Sequence, residues 1–147
     1  MTSDSKFLYG DITRKIWYVF RKLRNEFQTR RGLTHAEICN ILRDELMRLN
    51  IPASREVPII NVREGKRIST RFADLIVDAR VVVDVKINDR GITQEYYDQV
   101  HLYMEALGLP VGVILNFGCP DADLTNPEDR SKVYRRLYIS KNRPRLN

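Results

Sequence analysis

Arg71-Phe72-Ala73-Asp74-Leu75-Ile76-Val77-Asp78-Ala79-Arg80-Val81-Val82-Val83-Asp84-Val85-Lys86 sets an Asp, a second Asp and a Lys into what otherwise reads as two buried β-strands. Val81 to Val85 is an apolar run of the kind that lies inside a sheet. Charges are seldom buried there without a partner or a metal, because desolvating an ion costs several kcal/mol. Asp84 and Lys86 are two residues apart, so a strand aims both at one face. A hairpin turn over Asp78-Ala79-Arg80, centred on Ala79, puts Asp74 directly across from Asp84. Two adjacent carboxylates repel unless a cation lies between them or one takes up a proton. The stretch therefore predicts a divalent-metal site with a lysine at its edge.

Working outward, the order of elements follows from hydrophobic spacing. Ile12, Ile16, Val19, Phe20 and Leu23 recur at helical intervals and predict a first helix over residues 9–27. Ile38, Ile41, Leu42, Leu46 and Leu49 predict a second from Thr34 to Leu49, stopped by Asn50-Ile51-Pro52. Strands are expected over Val57–Val62, Arg67–Val77 and Val81–Ile87, the second with Ile68, Phe72, Asp74 and Ile76 on one face. Thr93 caps a third helix ending near Leu107, with Tyr96, Val100, Tyr103 and Leu107 as its core stripe and Gly108 and Pro110 after it. Val111–Asn116 reads as a fully buried strand, residues 118–129 as a polar loop, and Val133–Ser140 as a last strand. The order α-α-β-β-β-α-β-(β) implies an α/β domain, a mixed sheet flanked by helices. The chain, residues 1–147, is the length of a single domain, with 1–8 and 141–147 expected to be flexible ends.

Composition narrows the classes of function. No apolar run is long enough to span a membrane, and Met1-Thr2-Ser3-Asp4-Ser5-Lys6 lacks the apolar stretch of a signal peptide. Two cysteines, Cys39 and Cys119, are too few for a four-cysteine zinc or iron–sulfur site and point to a reduced, cytoplasmic protein. The net charge of +6 is unevenly spread. Basic residues crowd 14–31, with Lys22, Arg30 and Arg31 among them, and recur in the C-terminal part with Arg135 and Arg136. Such clusters suit a polyanion, above all nucleic acid, or simply a solvated basic face.

The chemistry of the acid pair can be read further. Mg²⁺ takes oxygen ligands and usually only two or three from protein. Asp74, Asp84 and the backbone carbonyl of Val85 could supply them. Lys86 could then polarise an attacking water or stabilise a pentavalent phosphate. The plainer possibility is that Asp84 and Lys86 pair with each other and Asp74 starts a hydrogen-bond network. Glu37 has its own alternative, because Thr34-His35-Ala36-Glu37 fits a capping box in which the carboxylate reaches back to the Thr34 amide. His35 and His101 read as surface or satisfied helix residues. Arg71 could touch a phosphate or pair with a neighbouring acid.

An Asp on one strand of a hairpin followed by Asp-Val-Lys on the next resembles the D…(D/E)xK signature of the PD-(D/E)XK nuclease superfamily. More narrowly, RFADLIVDARVVVDVK, YYDQVHLYMEALGLPVGVILNFG and the two N-terminal helices are similar to the small GxxExxY proteins. Counted from Glu37, the Gly and Tyr of that motif fall on Thr34 and Asn40, and Gly32 stands two residues too early. The resemblance implies a restriction-endonuclease-like core and Mg²⁺- or Mn²⁺-dependent hydrolysis of phosphodiester bonds, in DNA rather than RNA. It implies Asp74, Asp84 and Lys86 as the catalytic set, Gln99 assisting, and Glu37 as a further ligand. The alternatives are a nucleic-acid-binding module on the same scaffold without useful catalysis, and an oligomeric interaction protein. A homodimer is a further expectation, from apolar surface to spare on the first helix.

Overall fold

The structure is a computed structural model that describes residues 8–30 and 32–139, with the backbone alone for residues 61–63 and 67–70. The segments 1–7 and 140–147, which hold most of the expected flexible ends, lie outside the described residues, as does Arg31. Its elements run α1 (Gly10–Phe27), α2 (His35–Arg48), β1 (Ala53–Arg63), β2 (Lys66–Val77), β3 (Val81–Lys86), α3 (Gln94–Leu107), β4 (Val111–Asn116), α4 (Pro127–Ser131) and β5 (Tyr134–Tyr138). The five strands form one sheet in the order β1-β2-β3-β4-β5. All neighbours are antiparallel except β3 and β4, which are parallel and joined by the crossover through α3. This is the mixed α/β architecture expected from the element order.

Two apolar layers fix the helices to the sheet. On one face, Ile12, Ile16, Val19, Phe20 and Leu23 of α1 and Ile38, Leu42 and Leu46 of α2 pack on Leu75, Val77, Val81, Val83 and Val85. On the other, Tyr97, Val100, Tyr103 and Met104 of α3 pack on Ile76, Val82, Ile114 and Leu137. The apolar stripe of α1 is thus spent within the fold, 0–5% exposed along its length, and is not spare surface for a partner. On α3 the fully buried stripe runs through Tyr97, Val100, Tyr103 and Met104, and Tyr96 and Leu107 pack partly buried against the same layer.

The central hairpin turns where the arithmetic puts it. Val77 pairs with Val81, Ile76 with Val82 and Leu75 with Val83, around a turn at Asp78-Ala79-Arg80. The expected single face of Ile68, Phe72, Asp74 and Ile76 does not hold for its described members. Ala73 packs in the α3-side layer and Leu75 in the α1/α2-side layer, so the alternation slips between them. Opposite the slip, Glu56 of β1 has φ 52, and the Glu56/Asp74 pair is missing from the ladder, which shifts register once more between Asn61 and Val62. Phe72 is left 55% exposed. β1 also starts earlier than the alternation suggests, at Ala53, and a short α4 interrupts the polar loop after Asn126 caps it.

Candidate metal centre

The slip of alternation at Asp74 and the end of β3 create the site. The β2–β3 ladder ends at Leu75 and Val83, which leaves the next outward-facing peptide, that of Val85, without a strand partner on that side. The Asp74 side chain takes its place: Val85 N–H donates to Asp74 Oδ2 at 2.8 Å. The Val85 carbonyl is met by His35 Nε2 at 2.9 Å, and the same nitrogen lies 3.2 Å from Asp74 Oδ2. His35 is the first residue of α2, held at the strand end by the capping of that helix.

Glu37 is engaged in that cap. Thr34 Oγ1 accepts from the Glu37 amide at 3.1 Å, and Glu37 Oε1 accepts from the Thr34 amide at 3.2 Å. Of the two sequence readings of Glu37, the structure has the capping box; the carboxylate is turned back along its own helix, and the side chain that α2 brings to Asp74 is His35.

Asp84 sits on the other side of β3, facing α3. It is 3% exposed, with Lys86 Nζ 3.1 Å from its Oδ2. Lys86 in turn donates to Gln99 Oε1 of α3 at 3.1 Å and lies 4.6 Å above the ring of Tyr96. The ammonium is therefore held by a carboxylate, an amide oxygen and an aromatic face at once. Although the Lys86 charge is near, Asp84 Oδ2 makes no well-aligned hydrogen bond and is fully buried. The ion pair with Lys86 offsets part of the cost of burying that oxygen, and a further cation would offset more.

The floor of the site is braced by Asn116 at the end of β4. Its Oδ1 accepts from the Asn88 and Gly118 amides, each at 2.9 Å, and its Nδ2 donates to the Asn88 and Lys132 carbonyls. Gly118 is required there, since a Cβ would stand 2.5 Å from the Asn88 backbone. Arg24 of α1 reaches the same loop, donating to the carbonyls of Gly118 at 2.7 Å and of Cys119. Burial lowers its pKa, and at 4% exposure it is a structural clamp rather than part of a phosphate-facing cluster.

The electrostatics follow from these contacts. Burial alone would raise Asp74, but the bonds from His35 and the Val85 amide outweigh it and hold its carboxyl below the usual value. Asp84 moves the other way: desolvation raises it to about 7, against the pull of Lys86 and helped by Asp74. His35 is raised to about 10, chiefly by its bond to Asp74. One acid is thus ionised and the other poised near neutrality, the split expected when two carboxyls share a site.

The structure brings Asp74, Asp84, Val85, Lys86 and Gln99 to one strand end, and it adds His35, which sequence reasoning set aside. A signal was present. Counted from Gly32, the third residue of a G-x-x spacing is His35, and Cys39 follows one helical turn later. The expected basic contacts are dispersed. Arg71 is exposed on β2, at the level of Ile87 if the hairpin register is continued. Lys22 is paired with Glu45 at 2.9 Å, and Glu45 lies about 15 Å along α2 from His35 at 1.5 Å per residue. Arg30 is exposed in the α1–α2 connection. Arg135 pairs across β5–β4 with Ile114, which itself neighbours Asp84, and Arg136 donates to the Leu8 carbonyl.

Two carboxylates and a backbone carbonyl are oxygen donors of the kind a divalent ion takes, Asp84 Oδ2 being buried without an aligned donor; among the described residues the side-chain ligand atoms within 4.8 Å of one another are those of His35, Cys39 and Asp74. Among the described residues no helix is long and apolar enough to cross a membrane. A search of curated proteins and one of solved structures give no significant match. A family profile described as the PD-(D/E)XK nuclease superfamily matches residues 11–126, from the start of α1 to the cap of α4. That span contains both acids, the lysine, the glutamine and the helices that carry His35 and Tyr96, and the chain belongs to the PD-(D/E)XK nuclease superfamily.

Proposed function

We propose that this protein is a divalent-metal-dependent nuclease that hydrolyses phosphodiester bonds in DNA, with Asp74, Asp84 and the Val85 carbonyl holding Mg²⁺ or Mn²⁺. The observation that carries the reading is the buried Asp84 oxygen without an aligned donor, beside a second carboxylate and Lys86, in a chain of a nuclease superfamily. When bound, the cation supplies Lewis acidity and neutralises charge at the scissile phosphate. The chain's own groups do the rest. Lys86 Nζ, fixed between Asp84 and Gln99, orients a water and offsets negative charge on the phosphoryl oxygens. Gln99 and Tyr96 position that ammonium rather than touching substrate. Arg71 and Arg30, both exposed, are the side chains we assign to the phosphate backbone.

The test is cleavage by purified protein of single- and double-stranded DNA, with RNA alongside, in Mg²⁺, Mn²⁺ or EDTA. Activity should require the ion, vanish in Asp84→Ala and fall at least about 100-fold in Lys86→Ala. Equal cleavage by Lys86→Ala and wild type would overturn the proposal. A second reading, a nucleic-acid-binding module without useful catalysis, draws on His35 Nε2, which already satisfies Asp74 and the Val85 carbonyl. It predicts salt-sensitive DNA binding that ignores Mg²⁺ and survives Asp84→Ala.

A further inference from the structure

The ribbon of β1 and β2 outruns the rest of the sheet. β3 pairs with β2 only at Leu75, Ile76 and Val77, whereas β1 follows β2 out to Lys66. From Lys66 to Asp74, about 26 Å at 3.3 Å per residue, the β3-side edge of β2 has no strand beside it among the described residues. Paired residues of an antiparallel ladder point to one face, and successive residues to opposite faces. In the regular stretch Val57–Ala73, Pro58–Phe72, Ile59–Arg71 and Ile60–Thr70, the side chains of Ile59 and Ala73 enter the layer shared with α3. Arg71 is on that face too, the one to which Lys86 turns to meet Gln99. Pro58, Ile60 and Phe72 are on the opposite face, and all three are exposed, Phe72 by 55% and Ile60 by 52%. A lone exposed apolar side chain is ordinary, but three at adjoining positions of one ribbon face mark a contact surface. The open edge of β2 runs between that surface and Arg71, and Asp74 stands at its root.

We propose that this ribbon edge is a track for unpaired DNA, so that the centre takes single strands in preference to duplex. The inference rests on the nuclease reading above and names the form of its substrate. A strand crossing the edge sets a phosphate beside Arg71, on the face of Lys86, and lays the attached base over Phe72 on the other. A base turned in this way has left the stack. An unpaired base does so readily, whereas a base in a duplex must first give up its partner and its neighbours. Charge selects the occupant. The sequence Lys66-Arg67-Ile68-Ser69-Thr70-Arg71-Phe72 carries three cations and no acid. That favours a polyanion over a second copy of the same ribbon, whose like charges would meet.

Fluorescence anisotropy in Ca²⁺, which prevents cleavage, compares three probes: a DNA strand, the same strand annealed to its complement, and the strand with a central run of abasic residues. The abasic strand keeps every phosphate and loses only bases. The wild type should bind the intact strand at least about ten-fold more tightly than the duplex, and the abasic strand about 5- to 150-fold less tightly than the intact one. Phe72→Ala should bind intact and abasic strands alike, and Phe72→Trp should keep the preference. Duplex bound as tightly as the single strand, an abasic strand bound as tightly as the intact one, no binding of the single strand, or a Phe72→Ala variant that still discriminates fully would each overturn the inference. The wild-type comparison needs no variant, so a misfolded substitution cannot hide the answer. Cleavage assays separate the two proposals. Single-strand preference without metal-dependent cleavage keeps the track and removes the nuclease; metal-dependent cleavage with equal affinity for strand and duplex does the reverse.

Discussion

Asp84 is 3% exposed, and desolvation raises its carboxyl to about 7 even with Lys86 only 3.1 Å away. An unfolded Asp titrates near 3.8, so between that pH and about 7 the folded protein keeps a proton that the unfolded chain gives up. Stability of the metal-free protein therefore falls as pH rises through that window. His35 adds a second slope of the same sign: raised to about 10 by Asp74, its contribution is complete below about 6.5 and is lost toward 10. The depressed Asp74 acts oppositely and only in acid, stabilising above its usual pKa and failing below it. Asp84→Asn should accordingly be more stable than wild type at pH 8, by an amount on the order of a few kcal/mol, with the difference closing toward pH 4. Thermal unfolding of metal-free protein from pH 4 to 9 measures it, and a variant less stable than wild type at pH 8 would contradict the buried-charge account. Mn²⁺ should raise the wild-type Tm at pH 8 and leave the Asn variant unmoved. At this scale the acids and the lysine were legible as residues of one hairpin, but the direct Asp74–Asp84 pairing was not met, because the ladder ends at Leu75 and Val83 and the alternation slips at Asp74. His35 was legible only through its spacing from Gly32 and not through any hydrophobic pattern, which is why it reads as a surface helix residue.

The hairpin whose strands carry the acids turns through Asp78 at φ 53 and Ala79 at φ 55, closed by the Arg80 amide donating to the Val77 carbonyl at 3.0 Å. Two consecutive left-handed residues are the mark of a type I′ turn, whose twist matches the strands it joins. Aspartate tolerates that conformation, but alanine there costs roughly 1–2 kcal/mol because its Cβ crowds the following carbonyl. Glycine gives part of that back through its larger unfolded-state entropy. Ala79→Gly is therefore expected to stabilise the fold by about 0.5–1 kcal/mol without altering metal affinity. Urea denaturation reads the first and calorimetry the second; a loss of stability would mean that the turn is not of this type. The turn's position was legible because valine runs flank it on both sides. The remaining boundaries that differ have local causes: β1 extends back to Ala53 by pairing with Val77, and α4 forms because Asn126 caps Glu128 and Asp129 ahead of it. Neither pairing nor a five-residue helix leaves a periodic trace in the sequence.

Across the molecule, β1 and β2 continue past the end of β3, so the hairpin rises from the same edge of the sheet as the acids. On its flank Phe72 is 55% exposed, next to exposed Arg71, and Ile87 at the end of β3 is 51% exposed. A cation and an aromatic side chain beside the proposed nuclease centre can grip a phosphate and stack on a base together. The basic residues that composition groups into two clusters are not equivalent in three dimensions. Arg24 is buried on carbonyls, and Lys22 is bound to Glu45. DNA affinity should thus depend on Arg71 and Arg30 and scarcely on Lys22. In the logarithmic plot of affinity against salt, Arg71→Ala and Arg30→Ala should each lower the slope by about 1, and Lys22→Ala should leave it unchanged. Phe72→Ala should weaken single-stranded DNA by about 1–3 kcal/mol with its salt slope intact, because stacking releases no counterions. Fluorescence anisotropy across a salt series, in Ca²⁺ to prevent cleavage, distinguishes these terms. Equal slopes for Arg71→Ala and wild type, with Lys22→Ala reduced, would move the nucleic-acid path away from the hairpin and onto the outer face of α1.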